Sequence, residues 1–168
     1  MTASGFLLPN VLRRWLAPAP DSAAAEALRQ GRSPWAHAVH LLWSAWIFVT
    51  PLFSGGYDLR WALLTLLSYP VFLLFYAKVI TATRREAPRY ALAMIALCFA
   101  LLPWYPAALS YFIFGCVMLR TSGPRPMKRY LAQLLLLNTA LIALALWIGY
   151  PWQAVAWLPP MTLVIGII

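Results

Sequence analysis

Six runs of apolar residues, separated by short polar or proline-containing turns, make up most of the chain beyond residue 35. They cover about Ala36–Phe53, Trp61–Ile80, Tyr90–Leu102, Ala107–Leu119, Leu131–Gly149 and Ala154–Ile168. Apolar runs of this kind, broken by basic loops, indicate helices that cross a bilayer. The expected fold is therefore all-α, a polytopic membrane bundle of six transmembrane helices over residues 35–168. The third and fourth runs are short for a bilayer core of roughly 30 Å. Each can gain length from its flanks, through Pro103 to Pro106 on one side and "APRY" or "LRTS" on the other.

Residues 1–34 form the only long polar region and are read as a cytoplasmic, interfacial N-terminal segment. "FLLPNVLRRWL" sets Phe6, Leu7, Leu8, Val11, Leu12, Trp15 and Leu16 around Arg13 and Arg14, as in a segment lying on the membrane surface. "DSAAAEALRQG" predicts a short soluble helix, with Asp21 or Ser22 as its N-cap and Gly31 at its end. No cleavable signal is expected, because the arginines follow the first apolar stretch instead of preceding it.

Composition agrees with the pattern. Of 168 residues, 63% are hydrophobic and only 10% are charged, against roughly 25% charged in soluble domains. The net charge of +9 would suit nucleic acid, but the position of the cations argues for membrane anchoring instead. Arg13, Arg14, Arg29 and Arg32 precede the first run. Lys78, Arg84, Arg85 and Arg89 lie between the second and third, and Arg120, Arg125, Lys128 and Arg129 between the fourth and fifth. The alternate loops, "GGYDLR", "PWYP" and "YPWQ", hold only Arg60. The positive-inside rule then places both the N-terminus and the C-terminus in the cytoplasm. Aromatic residues predict two interfacial belts, Tyr57, Trp61, Trp104, Tyr105, Tyr150 and Trp152 outside and Trp35, Tyr76, Tyr90 and Tyr130 inside.

Catalytic chemistry is scarce. The four acids, Asp21, Glu26, Asp58 and Glu86, all fall outside the apolar runs. That leaves no carboxylate pair for acid–base work and no buried acid for proton-coupled transport. Phosphate loops and GxSxG or HExxH motifs are absent. Cys98 and Cys116 lack metal-site spacing and read as buried thiols. His37 and His40 stand three apart near the inner end of the first run. They could share a helix face and hold a metal or haem, but no further ligands accompany them, so an interfacial polar pair is the expected role. No catalytic, metal or cofactor site is assigned.

The polar residues within the runs say more. Asn138 lies mid-run, so it should face another helix, because an amide exposed to lipid is costly. Gln133, Thr65, Ser68 and Ser110 are further candidates for interhelical polar contacts. Pro70 interrupts the second run, and Pro159 with Pro160 the sixth, each a place where a helix could kink. Asn138, Pro70, Pro159 and Pro160 are accordingly the candidate signal-coupling residues.

The stretches "WSAWIFVTPLFSGG", "LLSYPVFLLFYA", "PWYPAALSYFIFGC" and "LPPMTLVIGII" together resemble the membrane region of DesK-like bacterial sensor histidine kinases, over roughly residues 36–168. The resemblance implies a signal-sensing input module of a two-component system in the bacterial inner membrane, homodimeric and in contact with membrane lipids. It implies that kinase domains binding ATP and magnesium, and carrying the phosphoacceptor histidine that a cognate response regulator reads, lie outside this chain. Neither His37 nor His40 matches that histidine. The final run supports the same expectation. Ala154 to Ile168 would give about 22 Å of helix, with no basic residue at its end, as if a signalling helix continued beyond it. A small transporter or channel subunit, or an assembly protein of the membrane, is the alternative reading.

Overall fold

The computed structural model describes residues 14–33, 41–53, 55–121 and 126–167. Among them the chain is all-helical, with seven α-helices and no strand. We number them α1 (Ala23–Arg29), α2 (Ala45–Val49), α3 (Leu59–Thr81), α4 (Ala87–Leu101), α5 (Leu109–Thr121), α6 (Met127–Trp147) and α7 (Leu158–Ile167). Single 3-10 turns follow α2 at Thr50–Leu52 and precede α5 and α7 at Pro106–Ala108 and Trp152–Ala154. The second to sixth apolar runs each coincide with a helix, α3 to α7. In the first run only residues 41–53 are described, and His37, His40 and Trp35 lie outside the described residues.

The helix ends follow local chemistry. Asp58 caps α3 by accepting the Trp61 N–H at 2.7 Å, and Ser22 caps α1 by accepting from Ala25 N at 3.2 Å, which satisfies donors that have no partner within the helix. Past the end of α6, Gly149 takes φ +88°. The Tyr150 and Gly149 N–H groups then donate to the Ala145 and Leu146 carbonyls at 2.9 and 3.1 Å, closing the helix in a Schellman turn. On α1, Arg29 and the Gln30 amide bind the Glu26 carboxylate. Arg29 is the main reason that this carboxyl titrates below its ordinary range.

Among the described residues, only α3 and α6 are long and apolar enough to cross a membrane by length and composition. Both expose leucines, and bury a few hydroxyl or amide side chains among apolar ones such as Phe72 and Leu134. On α3, Thr65 and Ser68 are buried while Leu59, Leu63, Leu66, Leu67 and Val71 are exposed; on α6, Asn138 is buried while Leu135, Leu136, Leu146 and Trp147 are exposed. Helix α5 occupies the middle, with no exposed residue from Leu109 to Arg120. It forms a tight antiparallel hairpin with α4, and α3 packs along α4 and also reaches α5, where Phe72 stacks on Tyr111. Chain order does not dictate the last step, because α7 packs against both α5 and α6 and so lies between them.

The N-terminal segment docks on one end of this bundle. Ala19 N–H donates to the Thr81 carbonyl at 2.8 Å, and Arg84 N–H donates to Asp21 at 3.2 Å. Lys78 donates to the Trp15 carbonyl at 2.7 Å, with its ammonium 4.5 Å from the centroid of the Trp15 ring. Trp15 in turn meets Tyr90 edge to face.

The aromatic belts need correction. Tyr57, Trp104 and Trp152 are well exposed, but Tyr105, Tyr76 and Tyr130 are 1%, 2% and 0% exposed and belong to the core. Their rings fill space between helices, and two of their hydroxyls find interior partners, Tyr105 in Thr65 and Tyr130 in the Cys116 carbonyl.

Candidate functional site

Two groups of buried polar side chains link the helices. The first lies between α3 and the α4–α5 hairpin. Thr65 and Ser68 stand three residues apart on α3, so they share a face. Thr65 Oγ1 is 2.6 Å from the Tyr105 hydroxyl, and Ser68 Oγ is 2.8 Å from the Tyr111 hydroxyl. Ser68 gives its one proton to the Leu64 carbonyl at 2.6 Å, which leaves Tyr111 as the donor to Ser68. The Tyr105 and Tyr111 ring centroids are 6.4 Å apart, and Phe72 stacks on Tyr111 at 4.9 Å. Ser44 extends the polar seam towards α2, with its hydroxyl 2.9 Å from that of Tyr69. Ser110 is buried in the first turn of α5, next to Tyr111.

The second group joins α6 to α7. The Asn138 amide donates to the Thr162 hydroxyl at 3.1 Å and to the Leu134 carbonyl at 2.8 Å. Thr162 Oγ1 also lies 2.9 Å from the Leu158 carbonyl and 3.1 Å from that of Pro159. Both side chains are buried, Asn138 at 4% exposure and Thr162 at 0%. The buried stripe of α6 is Tyr130, Leu134, Asn138, Leu141 and Ala145, a helical repeat of three and four.

These placements revise two expectations. Gln133 sits outside that stripe, on the exposed side of α6, because five residues before Asn138 is more than one turn and rotates it away. Pro159 and Pro160 do not interrupt a helix. Helix α7 begins at Leu158 and its first four-residue bond runs from Met161 N–H to the Trp157 carbonyl at 3.1 Å. The prolines therefore fill first-turn positions whose missing N–H groups would have had no partner in any case. Pro70 does lie inside α3, on its exposed side, and the helix continues through it. Sequence reading gave Tyr105 only as an interfacial aromatic and did not single out Tyr111 or Thr162.

The chemistry on offer is hydrogen bonding. The two groups comprise hydroxyls and one amide, with no acid, base or cation among them. Among the described residues no cluster of three His, Cys, Asp or Glu could hold a metal ion. Cys98 and Cys116 are buried free thiols. No family model, curated protein or solved structure matches this sequence.

Proposed function

We propose that the chain is a multi-pass protein of the bacterial cytoplasmic membrane, with six crossings and both termini inside. It serves as the signal-sensing input module of a DesK-like two-component kinase. The observation that carries this reading is the Asn138–Thr162 pair. It is a directional contact between α6 and α7, the helix that in such a kinase would hand movement to the catalytic region. An interhelical hydrogen bond between uncharged groups is weak enough to be exchanged between two packing states and specific enough to define each.

The bilayer itself is the stimulus that best fits the dimensions. Helix α4 has 15 residues, about 22 Å at 1.5 Å per residue, against a core of roughly 30 Å. Short crossings respond to thickness by tilting or by thinning the lipid around them. The exposed leucines of α3 and α6 supply the lipid-facing surface.

The test is a chimera in which α7 runs in helical phase into the dimerisation and ATP-binding region of a sensor kinase, reconstituted in vesicles of short- to long-chain lecithins. Autophosphorylation should change with acyl length, and Asn138→Leu should shift its basal level. Equal rates across the lipid series, in both the parent and the variant, would sink the sensing role.

A further inference from the structure

The cations at one end of the bundle are not equivalent. Helices α4 and α5 run antiparallel and touch at Ala91 and Gly115, so the start of α4 lies beside the end of α5. The Tyr130 hydroxyl donates to the Cys116 carbonyl at 3.3 Å, and Arg120 sits 6.0 Å from the Tyr130 ring centroid, which brings the start of α6 to the same end. Arg85, Arg89, Lys128 and Arg129 therefore gather there, and all four are exposed.

The sequence has four Asp and Glu residues to neutralise them, and each has another partner. Glu26 binds Arg29 and lies 3.8 Å from Arg84. Asp21 accepts from Arg84 N–H. Glu86 lies at the same end, beside Arg85 in the sequence, but accepts from the Thr83 hydroxyl at 3.1 Å and makes no ion pair among the described residues. Asp58 caps α3, 20 residues or more away from every one of these cations and at the opposite end of that helix. Lys78 and Arg120, by contrast, have aromatic faces for partners. At that end, then, four cations have no acid within ion-pair distance among the described residues.

We infer that Arg85, Arg89, Lys128 and Arg129 form a binding surface for the phosphate groups of anionic phospholipid headgroups in the leaflet at that end. This rests on the membrane reading above. A bilayer brings fixed phosphates to the level at which α4 and α6 begin, and paired guanidinium and ammonium groups select lipids whose headgroup charge is not already cancelled.

The experiment titrates the detergent-solubilised full chain with phosphatidylglycerol, and separately with phosphatidylcholine of matched chains, reading bound lipid by native mass spectrometry. Phosphatidylglycerol should bind more tightly, and the preference should fall as salt rises. The pairs Arg85→Gln with Arg89→Gln, and Lys128→Gln with Arg129→Gln, should each weaken it by on the order of 25-fold, taking about five-fold per cation. Arg60→Gln at the other end should change nothing, and circular dichroism should show the helices intact in every variant. Equal affinity for the two lipids, or unchanged phosphatidylglycerol binding in both pairs, would overturn the inference. So would full competition by inorganic phosphate or by an oligonucleotide, which would make this a site for soluble anions. A chain that stays in solution without detergent would instead refute the membrane reading.

Discussion

Gly115 is the sharpest test of how closely the central hairpin packs. A Cβ built there would lie 2.4 Å from Ile95 Cγ1, 3.2 Å from Ile95 Cδ1 and 2.9 Å from the Ala91 carbonyl oxygen. The two obstacles differ in kind. The isoleucine can rotate, but the carbonyl belongs to the backbone of α4 and yields only if the helices separate. Overpacking of this sort costs about 1–3 kcal/mol, and replacing glycine by alanine in a helix returns about 1 kcal/mol of propensity. Gly115→Ala should therefore lose up to roughly 2 kcal/mol. Gly115→Leu, which cannot fit by small shifts, should prevent the hairpin from closing. Removing the movable obstacle separates the terms: in an Ile95→Ala background the cost of Gly115→Ala should fall but not vanish, because the Ala91 carbonyl remains. Equilibrium unfolding by SDS in mixed micelles, followed by tryptophan fluorescence and circular dichroism, measures all four members of the cycle. If Gly115→Ala is more stable than the parent by its full helix propensity, α4 and α5 do not approach as described.

Three further outcomes follow from the buried contacts. A double-mutant cycle of Asn138→Leu and Thr162→Val in the same unfolding assay should give a coupling of about 0.6 kcal/mol and no more than about 1.7, since Thr162 keeps the Leu158 carbonyl; zero coupling would mean that the pair does not form. Tyr111→Phe should cost about 0.5–1.5 kcal/mol through its lost donor to Ser68, and Ser68→Ala added to it should cost little more; additive losses would place the Tyr111 proton elsewhere. Replacing Pro159 and Pro160 together by alanine should change stability by less than about 1 kcal/mol, as first-turn positions allow, whereas Pro70→Ala should stabilise α3; a large loss from the Pro159 and Pro160 pair would restore a kink to α7.

The apolar runs made α3 to α6 readable within a few residues, because a long, continuous apolar run bounded by turns reads as a helix. The inward turn of Asn138 was legible for a related reason: hydrocarbon punishes an amide more than any neighbouring residue in that run. Its partner was not. Threonine can satisfy itself on the backbone of its own helix, as Thr162 does with the Leu158 carbonyl, so nothing in the sequence marks it as reaching outward. The position of α7 between α5 and α6 was hidden as well, since loop length alone favours packing between chain neighbours.

Tyr105 shows where such reading stops. In the turn "PWYP" it stands beside Trp104, and both residues have the amphipathic ring that suits an interface. The structure separates them completely, with Trp104 58% exposed and Tyr105 1%. What decides between them is a hydroxyl 40 positions earlier, Thr65 on α3, at 2.6 Å. The Tyr105 hydroxyl is buried with a partner in hand, and the Trp104 indole has no such partner to draw it inward. An aromatic residue at such a turn therefore carries two meanings, and only the tertiary partner chooses. The same rule bears on Thr65 and Ser68, whose spacing identified a shared face but could not say that tyrosines would complete it.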